Sequence, residues 1–172
     1  MFGYSIRDID VRSGPMGAPN QLLRDAETIG IGFLASRTSS VLRQLLDGKK
    51  IGNDEVHVLE DASRFLQDIS DGARFTASGN FREGASPSRS IAALDVAFGA
   101  IDVLKQLVSD EHGVARFFED LASAVTKAGS SGNSQEIADS LRTADQFFEA
   151  LGTWLSNELR SRKPLIGTRR NF

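Results

Sequence analysis

Apolar residues in this chain recur every three or four positions in five separate stretches, and no segment alternates with period two over a useful length. That spacing gives a helix one dry side and one wet side, and it gives a strand nothing of the kind. The pattern predicts an all-α fold, an up-and-down helical bundle of about five helices. An extended N-terminal arm over residues 1–20 precedes the bundle at 21–163, and a basic C-terminal tail over 164–172 follows it.

The breaks between stretches carry turn chemistry. Gly3, Gly14, Pro15, Gly17 and Pro19 interrupt the arm, where Tyr4, Ile6, Ile9 and Val11 are available for docking. Asn20 reads as the cap of a first helix over 21–46, with Leu22, Ala26, Ile29 and Phe33 on its apolar face, continued by Leu34, Val41, Leu42 and Leu45. The string 47-DGKKIGND-54 stops it, and Asp54 is placed to cap a second helix over 55–76. Val58, Leu59, Ala62, Phe65, Leu66, Ile69 and Ala73 give that helix its stripe. Ser86-Pro87 opens the third, over 87–109, because proline at the first helical position gives up an N–H that has no partner there. The fourth runs over 113–128. The fifth runs over 135–163, with Ser134 as its cap and Pro164 as its stop.

The third helix is apolar around most of its circumference. Ile91, Leu94, Phe98, Ile101 and Val108 line one face, and Ala93, Val96, Ala97, Ala100, Val103, Leu104 and Leu107 line another. Ser88, Asp95, Asp102, Gln106 and Ser109 leave a narrow polar strip. A helix of this kind sits at the centre of its domain, or else presents one face to a second molecule. In the fifth helix Phe147 and Trp154 widen the stripe of Ile137, Leu141, Ala144, Phe148, Leu151 and Leu155. Three segments echo one another: Arg64–Ile69, Arg116–Leu121 and Gln146–Leu151. Their unequal spacing speaks for convergent amphipathic helices rather than a repeat, which needs a fixed period.

At 172 residues the chain is one domain by length. With no cysteine it has no disulfide, no thiolate metal site and no thiol catalysis. Residues 1–20 hold no apolar run of the secretory kind, and no stretch has the ~18 uninterrupted apolar residues of a membrane span. The expectation is an intracellular, cytoplasmic protein. Net charge is −3, unevenly spread: residues 160–172 carry Arg160, Arg162, Lys163, Arg169 and Arg170 and no acid, which leaves the body acidic.

Motifs for chemistry are weak. Gly30-Ile31-Gly32-Phe33-Leu34-Ala35 fits the dinucleotide fingerprint G-x-G-x-x-G/A, but that turn works only between a strand and a helix, where N–H groups are free for pyrophosphate. Here polar, helical sequence precedes it. The glycines are better read as a close helix approach or a kink, so no dinucleotide or other cofactor is expected. Asp54, His57, Asp61 and Asp68 share one helical face with Glu60 beside them. The stripe lies opposite Leu59, Leu66 and Ile69, which makes it a solvated, ion-paired face rather than a metal site. No G-x-S-x-G occurs, and neither His57 nor His112 follows an arginine by four to six residues, as in small helical ribonucleases. Asp95 and Asp102, with Arg89, are candidates for a buried structural carboxylate network.

These readings point to a non-enzymatic helical adaptor or assembly subunit acting through protein–protein contacts, with a protein partner or self-association. The alternative is a small helical subunit of a nucleoprotein complex that contacts RNA or DNA through its arginines. The candidate interaction residues are Phe147, Trp154, Arg160, Arg162, Lys163, Arg169 and Arg170.

Overall fold

The computed structural model describes residues 17–105, 111–130 and 135–161, with backbone alone at 17–28, 111, 112 and 130. These residues form five helices joined by short connections, and no strand occurs among them. They are α1 (Gly17–Leu46), α2 (Asn53–Ser78), α3 (Pro87–Leu104), α4 (Glu111–Ser130) and α5 (Gln135–Ser161).

Helix ends follow local chemistry, with some departures from expectation. The α1 helix already runs through Asn20, so Asn20 is not its cap and Gly17–Asn20 belong to the helix. At the start of α2 the cap position is Gly52, not Asp54. The Gly52 N–H donates to the Glu55 carboxylate at 2.9 Å, and Asp54 joins the first turn, where negative charge suits the helix dipole. Ser86 and Pro87 begin α3 as expected. That helix is shorter than the sequence predicts, ending at Leu104. Ser134, most of the N-terminal arm and the tail lie outside the described residues.

The core is built around α2 and α5. Each of α1, α3 and α4 packs on both, and every substantial contact between helices involves one of the two. Hydroxyls stitch α2 to α4 in antiparallel register: Ser63 Oγ donates to the Ala122 carbonyl at 3.1 Å and Ser70 Oγ to the Ala115 carbonyl at 3.0 Å. Between α4 and α5 runs an edge-to-face series of Phe117, Phe118, Phe147 and Phe148, with successive centroids 5.1, 5.3 and 5.3 Å apart. Such pairs are worth about 0.5–1.5 kcal/mol each beyond their burial. The three echoed segments all serve this core: Leu66, Phe118 and Phe148 hold equivalent places and are fully buried.

The third helix is not the centre. Its buried side is narrow and small, made of Ser90, Ala93, Leu94, Ala97, Ala100 and Leu104. Small residues let it come close at two points. A Cβ on Gly72 of α2 would stand 2.5 Å from the Ser90 carbonyl oxygen, and one on Gly99 of α3 would stand 2.2 Å from Trp154 Cε2.

The glycines that raised the cofactor question do less. Gly30 has open space where a Cβ would be, and a Cβ on Gly32 would meet Leu155 at an ordinary 3.8 Å. Both lie inside α1, so neither forms a phosphate turn. Since glycine in a helix interior costs about 0.5–1 kcal/mol against alanine, Gly30→Ala is expected to raise the melting temperature. Gly99→Ala is expected to lower it, because the indole must move. Calorimetry on the two variants checks the contrast, and equal effects would contradict the close approach of α3 to α5.

Candidate interaction surface

The position of α3 is fixed by its junction with α2. Phe81 of the connecting loop stacks on Phe75 with centroids 4.3 Å apart and rings 4° from parallel. The next residue, Arg82, grips Asp71 with two bonds: Nε donates to Oδ1 at 3.1 Å and Nη2 to Oδ2 at 3.0 Å. Asp71 is fully buried. A buried carboxylate needs such partners, since its desolvation is costly. Gln67 Nε2 donates to Asp71 Oδ1 at 3.4 Å, Arg74 approaches the same oxygen at 3.5 Å, and Arg74 also pairs with Glu119 of α4. One turn before Asp71, Asp68 takes Arg89 of α3 at 3.3 Å.

This network corrects an expectation. The buried carboxylate is Asp71, and Arg89 serves Asp68. Asp95 and Asp102 both face outward. They mark the wet side of α3, and the apolar residues beside them are wet too. Ile91, Asp95, Phe98 and Asp102 fall at i, i+4, i+7 and i+11, one stripe along the helix. Ile91 is 44% exposed, Phe98 50% and Val103 67%. A second outward pair lies on α1, where Ile29 is 52% and Phe33 70% exposed. The sequence put Ile29 and Phe33 on the core face. Among the side chains of α1 that are described, the buried face is Ala35, Thr38, Ser39, Val41 and Leu42. Ala35 faces α5, where a Cβ on Gly152 would meet its Cβ at an ordinary 3.9 Å.

The other candidate residues divide. Phe147 is fully buried among Phe118 and Phe148, so it belongs to the core and not to a surface. Trp154 is partly buried on Gly99 and joins α5 to α3. Arg160 is exposed, its Nη1 donating to Asn157 Oδ1 at 3.4 Å. Arg162, Lys163, Arg169 and Arg170 lie outside the described residues. The signal that could have found the α3 surface was present: two aspartates seven apart fix the solvent side, and the alanines opposite fix the buried side.

Elsewhere the polar groups pair with one another. An open trough of about 830 Å³ runs between α1 and α5, lined by Ser36, Ser40, Arg43, Glu149, Thr153 and Arg160. Within it Arg43 Nη2 donates to Glu149 at 2.5 Å and Nε to Asp145 at 3.2 Å, while Ser39 donates to Asp145. These bonds raise the Arg43 guanidinium above its ordinary value. His57 Nδ1 lies 3.0 Å from Glu60 and Arg64 is 3.1 Å from Asp61, solvated as the sequence suggests, whereas Asp68 of the same stripe is largely buried against Arg89. Among the described residues no group of three or more His, Asp or Glu is placed to hold a metal ion. None of the described helices is long and apolar enough to cross a membrane. Comparison with protein-family models, with curated proteins and with solved structures finds no match to the chain.

Two outcomes test the junction. Arg82→Ala leaves a buried carboxylate short of its main partner, and a buried charged acceptor left so costs about 1–3 kcal/mol or more. Arg64→Ala, which breaks an exposed pair, is expected to leave the midpoint near wild type. Chemical denaturation of both variants checks this. Burial pushes the Asp68 carboxyl up, against the pull of Arg89. A carboxyl raised in the folded state adds stability that is full below its unfolded value of about 3.9 and is lost as pH rises through the folded value. The stability of wild type relative to Asp68→Asn is therefore expected to fall as pH rises from about 4. Paired melting curves showing a constant or rising difference would contradict it.

Proposed function

We propose that this protein is a non-enzymatic helical adaptor or assembly subunit that works through protein contacts made by the outward face of α3. The observation that carries the reading is the half-exposed Phe98, with Ile91 on the same stripe and Val103 close by, on a helix whose small-residue side alone is used by the core. Single exposed apolar residues are ordinary on any surface. Here they are set on one rigid helix that is clamped at its start by Asp71, Arg82, Asp68 and Arg89. A preorganised face of this kind loses little entropy when a partner covers it.

The arginines of the body support protein contacts over nucleic-acid contacts. Arg43, Arg64, Arg74, Arg82, Arg89 and Arg142 each pair with a carboxylate of this same chain. A guanidinium held that way must give up its partner before it can neutralise a phosphate. The nucleoprotein alternative then rests on the other bases, those of residues 160–172 among them.

Phe98 is half exposed, so Phe98→Glu separates binding from folding. The variant is expected to keep the wild-type helix content and melting midpoint. Wild-type mass by light scattering is expected to rise with concentration, or a partner to be recovered from native extract, and Phe98→Glu is expected to abolish either. A wild type that is monomeric at every concentration and recovers no partner contradicts the proposal.

A further inference from the structure

The large apolar side chains exposed among the described residues lie on two helices: Ile29 and Phe33 on α1, and Ile91, Phe98 and Val103 on α3. The charges set among them differ in sign. On α3 the exposed Asp95 stands one turn from both Ile91 and Phe98. On α1 the exposed Arg37 stands one turn beyond Phe33. Among the described residues neither Arg37 nor Asp95 has an ion-pair partner. No acid stands three, four or seven positions from Arg37, and no base at those spacings from Asp95. Lys105 is one turn beyond Asp102 and so answers that aspartate, leaving Asp95 alone.

The two stripes match in reverse order. Arg37 lies about 6 Å along its helix from Phe33, and Asp95 about 4.5 Å along its helix from Phe98. With the helices antiparallel and Phe33 beside Phe98, Arg37 therefore falls next to Asp95. The same register sets Ile29 level with Val103. Gly30 shares the α1 stripe and has open space where a Cβ would be. A glycine inside a helix costs stability, and nothing within this chain comes close enough to need it. A second helix laid on the stripe does.

We propose that the outward face of α3 is covered by α1 of a second copy of this chain, antiparallel, with Arg37 on Asp95, Phe33 against Phe98 and the close approach at Gly30. This rests on the reading of α3 as a contact surface and names its occupant. Both helices pack on α5, so every copy carries both halves. A two-fold pair makes the contact twice, and an open arrangement makes it once per copy.

Charge reversal with mixing tests the pairing. Arg37 and Asp95 are exposed and unpaired, so Arg37→Glu and Asp95→Lys are expected to keep the wild-type circular dichroism spectrum. By analytical ultracentrifugation each variant alone is expected to self-associate about tenfold more weakly than wild type or worse, because like charges then meet in the contact. An equimolar mixture is expected to recover the association. The Arg37→Glu copy retains the native α3 face and the Asp95→Lys copy the native α1 face, and the second contact carries the same pair with its charges exchanged. A mixture no better than its components overturns the proposal, as does either variant associating like wild type. A wild type that stays monomeric also overturns it, even where a different protein is recovered on α3. The reading of α3 is judged separately: association abolished by Phe98→Glu but indifferent to Arg37→Glu and Asp95→Lys keeps the surface and removes α1 as its occupant.

Discussion

The junction between α2 and α3 is the constraint from which the surface of this protein follows. Gly72 lets the start of α3 lie against α2, where any side chain would strike the Ser90 carbonyl. Phe81 on Phe75 and Arg82 on Asp71 then hold the loop. Once that end is fixed and Gly99 accepts Trp154, the rotation of α3 about its axis is fixed as well. Its alanines turn inward, and Ile91, Phe98, Asp95 and Asp102 turn out together. The exposed aromatic ring is thus a consequence of where the small residues are.

A buried charge is a costly way to hold a loop, since ion pairs in low dielectric recover their desolvation only with good geometry. Asp71 has that geometry: a two-bond grip from Arg82, with Gln67 and Arg74 beside it. The arrangement also draws in Glu119 of α4 through Arg74, so the loop, α2 and α4 share one set of charges. Asp68 and Arg89 tie the first turn of α3 to the same place. The reward is directional. Apolar contact alone would let α3 slide or roll on its alanine face, and a pair of fixed salt links at one end does not.

Much of the fold was legible because helix periodicity survives any detail of packing. The five segments, the Ser86-Pro87 start and the stripes of α2, α4 and α5 are all visible as spacings. Orientation was less legible where the apolar residues surround the helix. On α3 the periodicity of Ile91, Leu94, Phe98 and Ile101 describes a real face, yet only Leu94 of the four is buried. On α1, Ile29 and Phe33 were read as core because they recur at helical spacing, while the buried residues are Ala35, Thr38, Ser39, Val41 and Leu42. Close-packed helices bury small residues, so on α3 the alanines mark the inward side better than the large residues do. Phe147 fails in the other direction: it looks like surplus apolar surface, but the aromatic series between α4 and α5 consumes it.

The orientation of α3 is the central claim, and the absence of cysteine from the chain makes it directly measurable. A single thiol placed by Phe98→Cys or by Ala97→Cys reports its own accessibility to a small thiol reagent in dilute protein. The thiol at position 98 is expected to react at close to the rate of a free peptide, and the thiol at position 97 to react orders of magnitude more slowly in the folded protein. Comparable slow rates at both positions would place α3 in the centre of the bundle and contradict the account.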